Sequence, residues 1–210
     1  AGEKYEAVPE MRKLLRGLKS PSSAEAQTEK LNQALSKGDF KAAKEEVQAL
    51  REQLATLKSE EDKELVEKMS KQLADLAKQL EQLAKDEQLA QKLEQLGIKK
   101  EDIERMLEKL SKADLDQLKK QLEEKGLSQQ QIEKMAKQLQ QKQAAGATAK
   151  KLAKAMKQSA SAAQAGQQGE AIAGLTQAEQ QLSELEQLEQ EMNQLDATAS
   201  ALQDAKQNLD

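Results

Sequence analysis

The stretch VEKMSKQLADLAKQLEQLA, residues 66–84, puts Val66, Leu73 and Leu80 at heptad position a, Met69, Leu76 and Leu83 at d, and Ala77 and Ala84 at e. Apolar side chains recurring every three or four residues share one face of an α-helix, which turns once in 3.6 residues. Three apolar positions in seven make a wider stripe than the two-in-seven seam of an isolated coiled-coil pair, so this helix requires at least two neighbours. The fold class that follows is all-α: an elongated helical bundle with coiled-coil-like helices and short helical hairpins.

Upstream, Pro9 suits an initial helical position, and Met11, Leu14, Leu15 and Leu18 follow it until Ser20-Pro21-Ser22-Ser23 stops the helix. Ser23 is a good cap for a second helix carrying Leu31, Ala34 and Leu35, which Gly38 closes; Asp39 then caps a third through Val47, Leu50, Leu54 and Leu57. Residues 24–57 therefore predict an αα-hairpin. At 58–64, KSEEDKE breaks the leucine spacing. Ser59 and Asp62 have the spacing of a capping box, while a phase slip within one continuous helix fits equally well.

Downstream, LEQLGIKKEDIERMLEKL at 93–110 is echoed 29 positions later by LEEKGLSQQQIEKMAKQL at 122–139. Gly97 and Gly126 each end a leucine-bearing helix and precede an apolar residue, Ile98 or Leu127. In a Schellman cap, glycine takes the left-handed conformation and the next residue packs back on the one five positions earlier, here Leu93 or Leu122. Ser128 is a good cap for the following helix, Lys99 a poor one, and Ser111 with Asp114 has capping-box spacing. The repeat thus predicts two short helices joined by tight corners. The segment LKKQLEEKGLSQQQIEKMAKQL also resembles the DNA-binding SAP motif at Leu118, Leu122, Gly126 and Leu127. It departs from that motif at Gln131 and Ile132, and Glu123, Glu124 and Glu133 put negative charge near any phosphate.

Residues 147–165 are rich in alanine and predict a helix whose small-residue face packs closely on another helix, with Gly146 and the 166–169 segment as corners. The last helix, about 170–208, carries Leu185, Met192, Ala199 and Lys206 at a, and Leu188, Leu195, Leu202 and Leu209 at d, with Leu175 and Leu182 at e. It begins as a bundle helix and narrows to a two-in-seven seam that requires a partner, from this chain or another. Leu185, Leu188, Met192, Leu195 and Leu202 are the candidate interface; internal core is the other reading of the same residues.

The composition excludes much chemistry. The chain of 210 residues has no histidine, cysteine or tryptophan, which removes thiol nucleophiles, disulfides, Cys/His zinc sites and imidazole catalysis. No phosphate-cradling glycine loop or nucleophile elbow is present, and the acids Glu60, Glu61 and Asp62 lack the ligand spacing of a calcium loop. No catalytic, cofactor-binding or metal-ligating residue is assigned, and no small-molecule substrate is inferred. The net charge of −4 gives no general pull toward nucleic acid or anionic lipid. Seven lysines lie in 134–165 with no acid among them, whereas 166–210 holds nine acids against Lys206 alone. The expectation is that the two stretches lie side by side and offset one another. No apolar run long enough to span a membrane occurs. The opening AGEKYEAVPE has neither Met nor an apolar leader and reads as the start of a trimmed or processed chain.

The C-terminal stretch QQGEAIAGLTQAEQQLSELEQLEQEMNQLDATASALQDAKQ resembles helical regions of large, uncharacterised bacterial proteins that carry membrane anchors elsewhere in the chain. The resemblance implies a bacterial source and an extracytoplasmic segment, with no activity attached. The organisation expected is an N-terminal hairpin region (1–58), a long helix leading into two Schellman-capped short helices (59–142), and a small-residue helix followed by the long C-terminal one (143–210). The function expected is scaffolding, with a protein partner or self-association. A nucleic-acid-binding module at 112–139 and a helical chaperone or carrier are the alternatives.

Overall fold

The computed structural model describes residues 2–20, 27–58, 60–85 and 87–209, with side chains from Ala7 onward. Among them are nine helices and no strand: α1 (Gly2–Leu15), α2 (Glu29–Ser36), α3 (Phe40–Thr56), α4 (Lys63–Ala84), α5 (Glu87–Gln95), α6 (Lys100–Glu108), α7 (Lys112–Glu124), α8 (Gln129–Gln164) and α9 (Gln168–Leu209). The protein is an all-α helical bundle, as the leucine and alanine spacing predicts.

The stripe at 66–84 is buried from Val66 to Ala84, with Leu83 half-buried, and α4 packs chiefly on α8 and also on α1. One large apolar cluster joins α1 to α4 with the second half of α8 and the first half of α9. A smaller one gathers Leu89, Leu93, Ile98, Ile103, Met106, Leu118, Leu122, Ile132 and Leu139 from α5 to α7 and the start of α8. The 36-residue α8 is the shared spine. Positions 142 and 143 fall inside it, so the middle and last segments meet within a continuous helix.

Both glycine corners fold as the repeat predicts. At Gly97, φ is +87, the Ile98 N–H donates to the Leu93 carbonyl at 3.0 Å and the Gly97 N–H to that of Glu94 at 3.0 Å. At Gly126, φ is +88 and the matching bonds run from Leu127 to Leu122 at 3.3 Å and from Gly126 to Glu123 at 3.0 Å. Gly38 closes α2 in the same way, its bond to Leu35 and that of Asp39 to Ala34 both at 2.9 Å. The Asp39 carboxylate then accepts from Ala42 N at 3.0 Å to cap α3. Ser111 and Asp114 form the expected capping box, and Ser128 forms another with Gln131. Since an L side chain in the left-handed region costs about 1–2 kcal/mol, Gly126→Ala, where added bulk meets nothing, is expected to lower stability by about 1 kcal/mol in urea denaturation.

The Asp114 carboxylate is held below its ordinary value, first by hydrogen bonds from the Ser111 backbone and hydroxyl, then by Arg105, whose guanidinium lies 2.6 Å away. A carboxylate depressed in this way contributes stability that is fully present above the unfolded pKa of about 3.9 and is lost as pH falls through the folded value. The stability difference between the wild type and Asp114→Asn is therefore expected to shrink at acid pH, and an NMR titration of Asp114 should give a midpoint below that of free aspartate.

Three local expectations are corrected and one open alternative is settled. Helix α1 begins before Pro9, which sits inside it, and it ends at Leu15, ahead of the serine-proline segment. Just past that end, Gly17 lies against α4: a Cβ there would stand 2.5 Å from a Leu83 methyl group. The break at 58–64 is real, since α3 stops at Thr56 and α4 starts at Lys63, with Asp62 accepting from the Lys58 N–H at 3.0 Å. Ser23 and Ser59 lie outside the described residues. The long helix expected to lead into the corners is instead divided into α4 and α5, because the backbone turns to an extended conformation at Lys85. Gly146 is a helix interior rather than a corner. Its missing side chain lets α8 approach α4 so closely that a Cβ there would stand 3.1 Å from the Ala84 carbonyl oxygen.

A buried hydroxyl yields a prediction of opposite sign. Ser70 on α4 is fully buried and its oxygen has no hydrogen-bond partner. A desolvated, unpaired hydroxyl costs about 1–3 kcal/mol. Ser70→Ala should therefore raise the unfolding free energy measured in urea by about 1–2 kcal/mol, the better helix propensity of alanine included.

Candidate interface at the end of the long helix

Helix α9 is anchored along its first half. Ala171, Leu175, Ala178, Leu182 and Leu185 are buried, and Gly174 lies against the α8 backbone. On one flank three acids staple it to α3 and α1: Glu179 pairs with Arg51, Glu186 with Lys44 at 2.6 Å, and Glu189 with Arg12. Arg12 also lies 5.7 Å above the Phe40 ring, a cation–π arrangement. The hydrogen bond that Lys44 donates to the Glu186 carboxylate is the main reason that its ammonium holds its proton more tightly than a free lysine. Each pair is partly exposed, so each is worth about 1 kcal/mol or less. An Arg51/Glu179 double-mutant cycle should return a coupling of that size.

The expectation that the basic and acidic stretches lie side by side holds, since α8 and α9 pack together, but Glu179, Glu186 and Glu189 pair with α3 and α1 rather than with α8. Among the described residues Lys150, Lys151, Lys154 and Lys157 make no ion pair, and all but the half-buried Lys150 are exposed.

Beyond Glu189 the anchoring fades. Leu188 and Met192 are partly buried against the large cluster. Past them the stripe is open: Leu195 is 54% exposed, Leu202 68% and Leu209 86%, the exposed large hydrophobic residues among those described. The structure therefore divides the candidate interface. Leu185 belongs to the core, Leu188 and Met192 form its edge, and Leu195 and Leu202 are open, with Leu209 continuing the same stripe. From Leu195 to Leu209 the open stripe is about 21 Å long at 1.5 Å per residue. The heptad pattern already put Leu209 at d; what it could not give was the point where the body ends.

Other surfaces offer less chemistry. An open cleft of about 490 Å³ between α5, α6 and α8 is bordered by four acids, Glu87, Glu94, Glu104 and Glu108, interleaved with Lys85, Lys100 and Lys150. Among the described residues no group of acids is placed to hold a metal ion, and no helix is long and apolar enough to cross a membrane. In the segment that resembles a SAP motif, Leu118 and Leu122 are buried in the small cluster and Leu127 packs against it. Comparison of the chain with protein-family models, with curated proteins and with solved structures finds no match.

Proposed function

We propose that this protein is a non-enzymatic scaffold that acts through helix–helix protein interaction, with the end of α9 as its docking element. The observation that carries this reading is the run of exposed leucines at 195, 202 and 209 on a helix that extends past its own core. Three exposed leucines in register on one helix face form an apolar strip of the kind that marks a protein-interaction site. Hydrogen exchange tests the proposal. Residues 193–209 should exchange fast in dilute protein and become protected in concentrated protein or in cell extract, and L195E/L202E should abolish that protection. Equal exchange under all conditions would remove the reading.

The lysines at 150, 151, 154 and 157 favour a second reading, binding of a polyanion such as nucleic acid, because their charge is not spent within the described fold. Such binding would fall steeply with salt. The absence of DNA affinity at low salt would eliminate it.

A further inference from the structure

We infer that α4 and α8 together present one basic face, built on Lys71, Lys78, Lys150, Lys154 and Lys157, whose partner is the phosphate backbone of a nucleic-acid duplex. The inference rests on the polyanion reading above and names both its surface and its ligand.

Register brings the lysines together. Gly146 lies against Ala84, and Ala163 lines a small crevice with Val66, so the two helices run antiparallel. Their seam holds Ser70, Ala77 and Ala84, buried at position e of α4, and Gly146, Ala153 and Ala160, buried one heptad apart on α8. Position f of α4 carries Lys71 and Lys78, about a quarter turn outward from that seam. On α8, Lys150, Lys154 and Lys157 lie about a quarter turn outward from it in the same sense. Because the helices are antiparallel, both turns open to one side. Counted from the two anchor points, Lys78 comes level with the interval between Lys150 and Lys154, and Lys71 falls just beyond Lys157. With axes about 8–10 Å apart, the five ammonium groups share a face about 14 Å long at 1.5 Å per residue.

The charge of this face is not neutralised from within. Among the described residues none of the five lysines makes an ion pair, and all but Lys150 are exposed. The nearest acids belong to α4: Glu81, half-buried between the two rows, and the exposed Glu67 and Asp75 at the edges. Lys150 also borders the cleft that Glu104 and Glu108 line. The strongest part of the face is therefore the quartet Lys71, Lys78, Lys154 and Lys157.

The residues around the lysines select the ligand. Their exposed neighbours are Ala74 on α4 and Gln158 and Ser161 on α8. None of these is a bulky apolar group that would enter a lipid layer, and none is a ring that would stack on an unpaired base. What the face offers is ammonium for phosphate, and a duplex carries one phosphate for about every 1.7 Å of its axis. Such contacts read the backbone and no base sequence.

Fluorescence anisotropy of a labelled, mixed-sequence DNA duplex of about 20 base pairs tests this on the whole chain. Binding is expected at about 50 mM salt and should weaken about 100-fold by about 200 mM, the counterion release of about four phosphate contacts. K71E/K78E and K154E/K157E should each weaken it by about tenfold or more. K30E/K41E, the same charge change on exposed lysines of α2 and α3, should leave it within about threefold. Circular dichroism checks that each variant keeps its helices. Loss with K154E/K157E and indifference to K71E/K78E would overturn the two-helix face while leaving the polyanion reading of α8 in place. Tighter binding of the matching single strand, or capture by vesicles of anionic lipid without binding of the duplex, would overturn the choice of ligand. A chain that binds neither duplex, single strand nor vesicle at low salt overturns the inference and the polyanion reading together, and the scaffold reading stands apart from both.

Discussion

Replacing Gly174 with leucine is expected to cost more than about 3 kcal/mol and to separate α8 from α9, at the upper end of what overpacking does in a filled interior. Even a single added carbon has no room. A Cβ on Gly174 would lie 2.8 Å from the Ser159 nitrogen, 2.9 Å from the Ala155 carbonyl oxygen and 2.9 Å from the Ser159 Cβ. Backbone atoms cannot rotate aside as the end of a flexible side chain can, so the helices themselves must move. The same contact zone holds the buried Ser159, whose hydroxyl donates to the Ala171 carbonyl at 2.7 Å, and displacement would strain that bond as well. Gly174→Ala provides the decisive comparison. Helix propensity alone predicts a gain of about 1 kcal/mol; crowding predicts a net loss of about 1–2 kcal/mol. Urea denaturation followed by far-UV circular dichroism separates the two, and a stabilised alanine variant would refute the close-packing account.

The same region shows what the amino-acid pattern reveals and what it hides. Period and corner chemistry are local. Val66 to Ala84 announce a bundle helix because every third or fourth residue is apolar. Gly97 and Gly126 announce their corners because the glycine and its apolar partner occur within six residues. Gly146 has equally strong local features and misleads, because its reason is tertiary: α4 needs it small. Pro9 misleads in the same way, since a helix can begin ahead of it. The acids of α9 were legible as unmatched charge, but which cations they would meet depends on α1 and α3, which are more than a hundred residues distant in the chain. The candidate interface was legible as one heptad stripe from Leu185 to Leu202, and Leu209 continues it. Where core ends and surface begins along it depends on how far α1 and α3 extend beside α9, and no periodicity within α9 carries that length.

Leu122→Ala is expected to release the small cluster while the bundle stays folded, and this is the second large effect. The side chain is fully buried, and a leucine truncated to alanine in such a site loses about 3–5 kcal/mol when the surroundings cannot collapse. Two features amplify the loss. Among the described residues the cluster has nine buried apolar members, so each carries a large share of its cohesion. Leu122 also stands where the Schellman bonds at Gly126 are closed, its carbonyl accepting from Leu127, and the contact between residues 122 and 127 helps to hold that corner. Between the two clusters the continuous α8 is the main covalent and packing link. Stability in such a molecule is not uniform, and local opening takes place at lower free energy than global unfolding. Hydrogen exchange in the variant should rise across 89–139 and stay slow at 145–185. Unfolding should then give transitions that differ between probes of the two clusters, where a single cooperative unit would give coincident ones. Coincident loss of protection in both clusters would mean that α8 transmits the defect along its length and that the protein folds as one unit.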